Sequence, residues 1–198
     1  MKTKIVEKAT DMFLNFGFKS ITMDDISAEM GISKKTIYQH YKNKSDLIET
    51  CAYHLFDIIA HGIEEIRMQK MDPIEEIYEI KSFAMKHLKD EKSSPQYQLQ
   101  KYYPRIYNNL KEKQYDLIRE FVTENLKKGI AMGYFRKNIN IDMISKFYFN
   151  GMIELKNTAI FPPQDYSMPL LMETYLEYHV RAIATLRGIE KLNQIVKK

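Results

Sequence analysis

Residues 22–47 read TMDDISAEMGISKKTIYQHYKNKSDL, and the fold is decided there. The Thr22 hydroxyl can cap the amides of a new helix. Asp25, three residues on, completes a capping-box pattern, and Asp24 suits the positive helix end. The spacing predicts a short helix over about Met23 to Met30. Gly31 supplies the left-handed residue that ends it, and Ser33 caps a second short helix of about eight residues that turns Ile37 and Tyr41 inward. Ala28 is small enough to let the two helices cross closely. Two short helices joined by Gly31-Ile32-Ser33 make a helix-turn-helix pattern. The outer side of the second offers Lys34, Lys35, Thr36, Tyr38, Gln39 and His40, all of which can donate hydrogen bonds, and a helix fits the major groove of B-DNA. Plainer roles also exist. Two lysines suit a solvated helix face, Thr22 can serve as a cap alone, and Tyr38 can pack its ring on the preceding helix.

Working outward, Ile5, Ala9, Met12, Phe13 and Phe16 recur at helical spacing and Gly17 stops that helix. Lys42-Asn43-Lys44 breaks the chain before a fourth helix, capped by Asn43 or Ser45, which runs on through Leu47, Ile48, Leu55 and Ile59 to about Met68. No flexible linker interrupts it. Further helices are predicted over about Pro73 to Leu88, Pro95 to Tyr103, Pro104 to Met132, Ile141 to Lys156 and Met168 to Arg187, several with proline as a starter. Seven glycines and six prolines in 198 residues leave few tight turns, so the expected fold class is all-α.

The net charge of +4 is too small to imply a nucleic-acid partner, but Met30 to Ser45 holds Lys34, Lys35, Lys42 and Lys44 with no acid. The charge is local. A single cysteine, Cys51, excludes an intramolecular disulfide and fits a reducing cytosol. No apolar run approaches a membrane span and the N-terminus does not read as a signal peptide, so a cytoplasmic location is expected.

The typed positions Thr22, Ile26, Gly31, Ile32, Ser33, Thr36, Tyr38, Tyr41, Lys44 and Leu47 closely resemble the N-terminal domain of the TetR/AcrR family of bacterial transcriptional regulators. The departures are Ser27 and Met30 where alanine is common, Lys35 where glycine is frequent and Tyr41 for a common phenylalanine. The resemblance covers under a quarter of the chain. It implies base contacts from Lys34, Lys35, Tyr38 and Gln39 and phosphate contacts from Thr22, Thr36, His40 and Lys44, the former setting sequence and the latter register. It also implies a DNA-binding domain at residues 1–47 joined through the shared fourth helix to a larger helical ligand-binding and dimerisation domain at 48–198. The partners expected are a double-stranded operator, a second copy of the chain and a small effector.

Beyond that motif the sequence is less typed. The helix from Ile141 is apolar almost all round, which demands burial on two faces. Together with the helix from Met168 it suggests a four-helix interface between two subunits, with Phe147, Tyr148, Gly151, Leu155, Leu176, Val180 and Ile183 as candidates. The resemblance further implies an effector pocket for an apolar or aromatic molecule. Its candidate residues are Phe83, His87, Tyr103, Tyr107, Phe121, Asn150 and Glu154. Each also reads as an ordinary core or surface residue. No cofactor is expected.

Two other classes compete. G-x-G-x-x-G, P-loop, G-x-S-x-G and H-E-x-x-H motifs are all missing, and no histidine has glutamate three residues before it, as a di-iron bundle needs. Cys51, His54 and His61 offer only a weak metal-enzyme reading. The other alternative is a DNA-binding dimer that works without an effector.

Overall fold

The computed structural model describes residues 1–88 and 95–196. Among the described residues the chain is all-α: α1 (Lys2–Phe16), α2 (Met23–Glu29), α3 (Lys34–Tyr38), α4 (Lys44–Met68), α5 (Pro73–His87), α6 (Pro95–Tyr102), α7 (Pro104–Ala131), α8 (Ile141–Glu154), α9 (Met168–Ile183) and α10 (Leu186–Val196). None of these helices is long and apolar enough to cross a membrane.

The chain forms two compact units, one of residues 1–59 and 86–112, the other of 60–85 and 113–198. These follow packing rather than the boundary drawn after Leu47 by sequence, since α6 and the start of α7 belong with the N-terminal helices. In the first unit, Ile5, Ala9 and Phe13 of α1 are buried with Ile26, Ile37, Leu47 and Ile48, and Leu99, Ile106 and Tyr107 complete the cluster. Each large apolar side chain fully buried contributes about 1.5 to 3 kcal/mol. The three short N-terminal helices are therefore held by a common core.

In the second unit, buried Glu76 of α5 accepts from Asn125 Nδ2 at 2.8 Å and from Lys128 Nζ at 2.7 Å, which ties α5 to α7. Asn125 also donates to the Pro73 carbonyl at 2.9 Å. The sequence predicts one helix from Met168 to Arg187, but α9 ends at Ile183. Ala184 is extended, with ψ 154°, because residues 183–185 pair with 134–136: Arg136 N donates to Ile183 O and Thr185 N to Tyr134 O, both at 2.9 Å. Thr185 then caps α10 by accepting from Gly188 N at 3.2 Å. No glycine or proline marks this break, because tertiary pairing makes it.

Candidate nucleic-acid interface

Local chemistry sets the helix-turn-helix. Thr22 Oγ1 accepts from Asp25 N at 3.2 Å while Asp25 Oδ2 accepts from Thr22 N at 2.7 Å, closing the capping box. Gly31 takes φ +64° at the turn, and Ile32 N reaches back to Ser27 O at 3.0 Å. Ser33 Oγ then accepts from Thr36 N at 3.1 Å and starts α3. This helix is shorter than the roughly eight residues expected. It ends at Tyr38, and Gln39 is its C-cap. Of the two capping candidates for α4, Asn43 takes the role, its Oδ1 accepting from Asp46 N at 2.9 Å.

Ile37 and Tyr41 are buried beneath α3, so its outer surface is fixed. Lys34, Lys35, Tyr38, Gln39 and His40 are exposed, as is Thr22, while Thr36 and Lys44 are half-buried. All eight residues assigned to DNA thus lie on α3, its flanking turn, or the capped starts of α2 and α4. Thr36 Oγ1 shares a 2.9 Å hydrogen bond with Ser33 Oγ. Lys44 Nζ donates to the Lys19 carbonyl at 3.3 Å.

The electrostatics are unequal across this surface. Lys34 Nζ bonds Asp24 Oδ2 at 2.7 Å, and this bond raises its pKa above the usual lysine value. Burial lowers that of Lys44, with Asp25 opposing. The Asp25 carboxyl sits below its ordinary range because the Thr22 hydroxyl and amide both bond it. Lys34 is thus engaged by an acid, whereas Lys44 is engaged by a carbonyl.

The expected subunit contacts divide differently from the sequence reading. Leu176, Val180 and Ile183 are at most 1% exposed within one chain, and Tyr148 and Leu155 are also buried. Within one chain these five side chains are therefore core. Gly151 instead gives α9 room to approach α8: a Cβ there would lie 2.2 Å from Tyr175 Oη, and that hydroxyl donates to the Phe147 and Tyr148 carbonyls at 3.0 and 3.1 Å. Phe147 alone of the seven is strongly exposed, at 60%, alongside Met143, Leu170 and Tyr178. The sequence reading did not single out those last three; for Met143 the reason is that α8, apolar almost all round, does not say which arc is outward. The polar Lys146, Asn150 and Glu154 interleaved on the outer arc of α8 are the available signal.

The effector candidates divide between the two units. His87, Tyr103 and Tyr107 belong to the first unit, and Phe83, Phe121, Asn150 and Glu154 to the second. Tyr107 and Phe121 are buried core, and Phe83 fills the space a side chain at Gly62 would need. Asn150 and Glu154 are exposed, Asn150 bonding the Lys146 carbonyl and Glu154 accepting from Asn157. Within one chain both side chains thus lie on the surface of α8. A cleft of about 440 Å³ in the first unit is lined by Lys42, Asp46, Glu49, Tyr103 and Arg105 among others. Of the candidates only Tyr103 borders it. Among the described residues no three His, Cys, Asp or Glu side chains gather as a metal site would require.

Residues 5–51 match the model of the bacterial regulatory proteins, tetR family. The chain is 32% identical over 69 residues to the biofilm operon icaADBC negative transcriptional regulator IcaR of Staphylococcus epidermidis, covering 33% of this chain and 37% of that one. The alignment thus spans little more than a third of that relative. It is 23% identical over 153 residues to the transcriptional repressor KstR2 of Mycolicibacterium smegmatis, covering 74% and 73% of the two chains. A transcriptional regulator from Cytophaga hutchinsonii superposes with a TM-score of 0.71 at 17% identity, covering 92% of this chain and 98% of that one. The matched segment ends at Cys51, just beyond the α4 cap, and contains every residue assigned to DNA above. Residues 5–51, the helix-turn-helix with its flanking helices, are thus similar to the bacterial regulatory proteins of the tetR family.

Proposed function

We propose that the protein is a cytoplasmic, sequence-specific transcriptional regulator, a homodimeric repressor that leaves a palindromic operator when a small apolar or aromatic effector binds. Residues 1–47 are the DNA-reading part and residues 48–198 the effector and dimer part. The observation that carries the reading is the exposed row Lys35, Tyr38, Gln39 and His40 standing over the fully buried Ile37. Rigid mounting lets side chains meet base edges at a fixed register. A two-fold axis would set two such helices about 34 Å apart, or a multiple of it, for half-sites on one face of the duplex. The subunit contact we assign to the exposed arc of Met143, Phe147, Leu170 and Tyr178.

The test is selection of duplexes from a random-sequence pool by the full chain, followed by footprinting. A recovered palindrome whose recognition is relaxed at particular base pairs by Gln39→Ala, by about 1 to 3 kcal/mol, supports the reading. Failure to enrich any sequence overturns it.

A dimer that binds DNA without an effector is favoured by one observation, the outward placement of Asn150 and Glu154. Screening small molecules against the recovered duplex complex separates the two readings. Linkage requires that a ligand lowering operator affinity about a hundredfold bind the DNA-bound form a hundredfold more weakly.

A further inference from the structure

Beside the helix-turn-helix, the first unit carries a second cationic surface that the family motif does not include. Lys19, in the loop between α1 and α2, has its ammonium 5.1 Å from the centre of the Tyr102 ring, and Lys101 lies 5.5 Å from the same ring and 5.6 Å from that of Tyr97. Both tyrosines are substantially exposed. Their rings hold the two ammonium groups in place by attraction to the aromatic face and leave the charge unneutralised. Three cations of this unit are instead paired with acids: Lys8 with Glu29, Lys34 with Asp24 and Arg105 with Glu49. Among the described residues neither Lys19 nor Lys101 has a carboxylate partner.

The position of this shoulder is as telling as its charge. The Lys19 carbonyl accepts from Lys44 Nζ at 3.3 Å, and Thr22 follows three residues later, so the shoulder is continuous with two residues assigned to phosphate. Lys19 is held to α6 by its amide, which donates to Gln98 Oε1 at 3.1 Å. A DNA strand carries a phosphate about every 3.4 Å along the helix axis. A strand seated on Thr22 and Lys44 therefore brings its next phosphates to the lysines alongside.

We infer that Lys19 and Lys101, steadied by Tyr97 and Tyr102, form an additional contact to the DNA backbone that extends each half-site footprint beyond the helix-turn-helix. The inference rests on the DNA-binding reading. The contact is to phosphate alone, so it adds affinity without sequence preference, and α6 becomes part of the nucleic-acid interface.

The test compares the full chain with the Lys19→Ala, Lys101→Ala double variant on the selected duplex in two lengths, the bare palindrome and the palindrome with flanks of arbitrary sequence. Both lysines lie on the surface, and circular dichroism checks that the variant is folded. The wild type is expected to bind the flanked duplex several times more tightly, with a log-log salt slope steeper by about 0.9 per added phosphate contact. The double variant should bind the two lengths alike. An equal gain from flanks in both proteins overturns the inference, as does wild-type binding indifferent to length, and in either case the DNA-binding reading survives. Failure to select any duplex removes both.

Discussion

Gln98 of α6 holds the loop that precedes the helix-turn-helix by its backbone, its Oε1 accepting from the amide of Lys19 at 3.1 Å. The same carboxamide packs against Gly17, which ends α1 at φ +86° and ψ 153°. Only glycine adopts that conformation readily.

Gly17→Ala should therefore cost about 1 to 3 kcal/mol through dihedral strain, with an added clash, since its Cβ would fall 2.4 Å from Gln98 Nε2. Gln98→Ala removes one hydrogen bond, at about 1 kcal/mol. Combining them should cost less than the sum, because truncating Gln98 relieves the clash and leaves only the strain. Urea unfolding of the three variants checks this. Strict additivity would count against the contact.

On the proposed DNA-binding reading, Asp24 should compete with DNA for Lys34, to which it is bonded at 2.7 Å. Asp24→Asn should raise affinity for every duplex, and the gain should shrink in a Lys34→Ala background. Titration by fluorescence anisotropy measures both. An equal gain in the two backgrounds would mean that Asp24 acts only as a repelling charge.

Phe147 and Leu176 separate surface from core. Phe147→Asp places a charge on an exposed arc, so the folded protomer should persist while light scattering at micromolar concentration shows the monomer mass. Leu176→Ala should instead lower stability by about 2 to 5 kcal/mol, since its side chain is sealed at 0% exposure. A Phe147→Asp protein that still dimerises would move the interface elsewhere.

His179 predicts a pH dependence. It is packed on Tyr148 with ring centres 5.0 Å apart, its Nε2 has no hydrogen-bond partner among the described residues, and burial pushes its pKa from 6.5 down to about 4. The unfolded state then binds the proton more strongly. Stability should fall as pH drops from 6.5 to 4 and level off below, by about 3 kcal/mol in all. His179→Phe should flatten that part of the profile, as urea midpoints at pH 7.5 and 4.5 would show. An unchanged slope would place the acid sensitivity in other groups.

The helix-turn-helix was legible because its information is local. The Thr22 box, the Gly31 turn and the Ser33 cap each act within a few residues, and the buried positions Ile26, Ile37 and Leu47 follow the helical period. Two kinds of feature were less so. The end of α9 at Ala184 depends on pairing with residues some 50 positions away, and no composition marks it. The outward arc of α8 was hidden because both its faces are apolar, so periodicity could not choose Phe147 over Tyr148. The shoulder on α6 is likewise a matter of tertiary approach, as Lys19 and Lys101 are distant in sequence and share a ring only after folding.

Cys51 is 2% exposed, donates its thiol to the Val6 carbonyl, and is pushed up to about 12 by burial. Oxidants and electrophiles attack the thiolate, and this chain's one sulfhydryl presents almost none at neutral pH. Peroxide and alkylating agents thus find little thiolate to attack at Cys51 in the native protein, and covalent change at this sulfur requires the core around it to open first. Opening of the core that holds α1 against α4 is therefore what a reagent would report, and the rate of Cys51 labelling becomes a clock for the breathing of the helix-turn-helix mount.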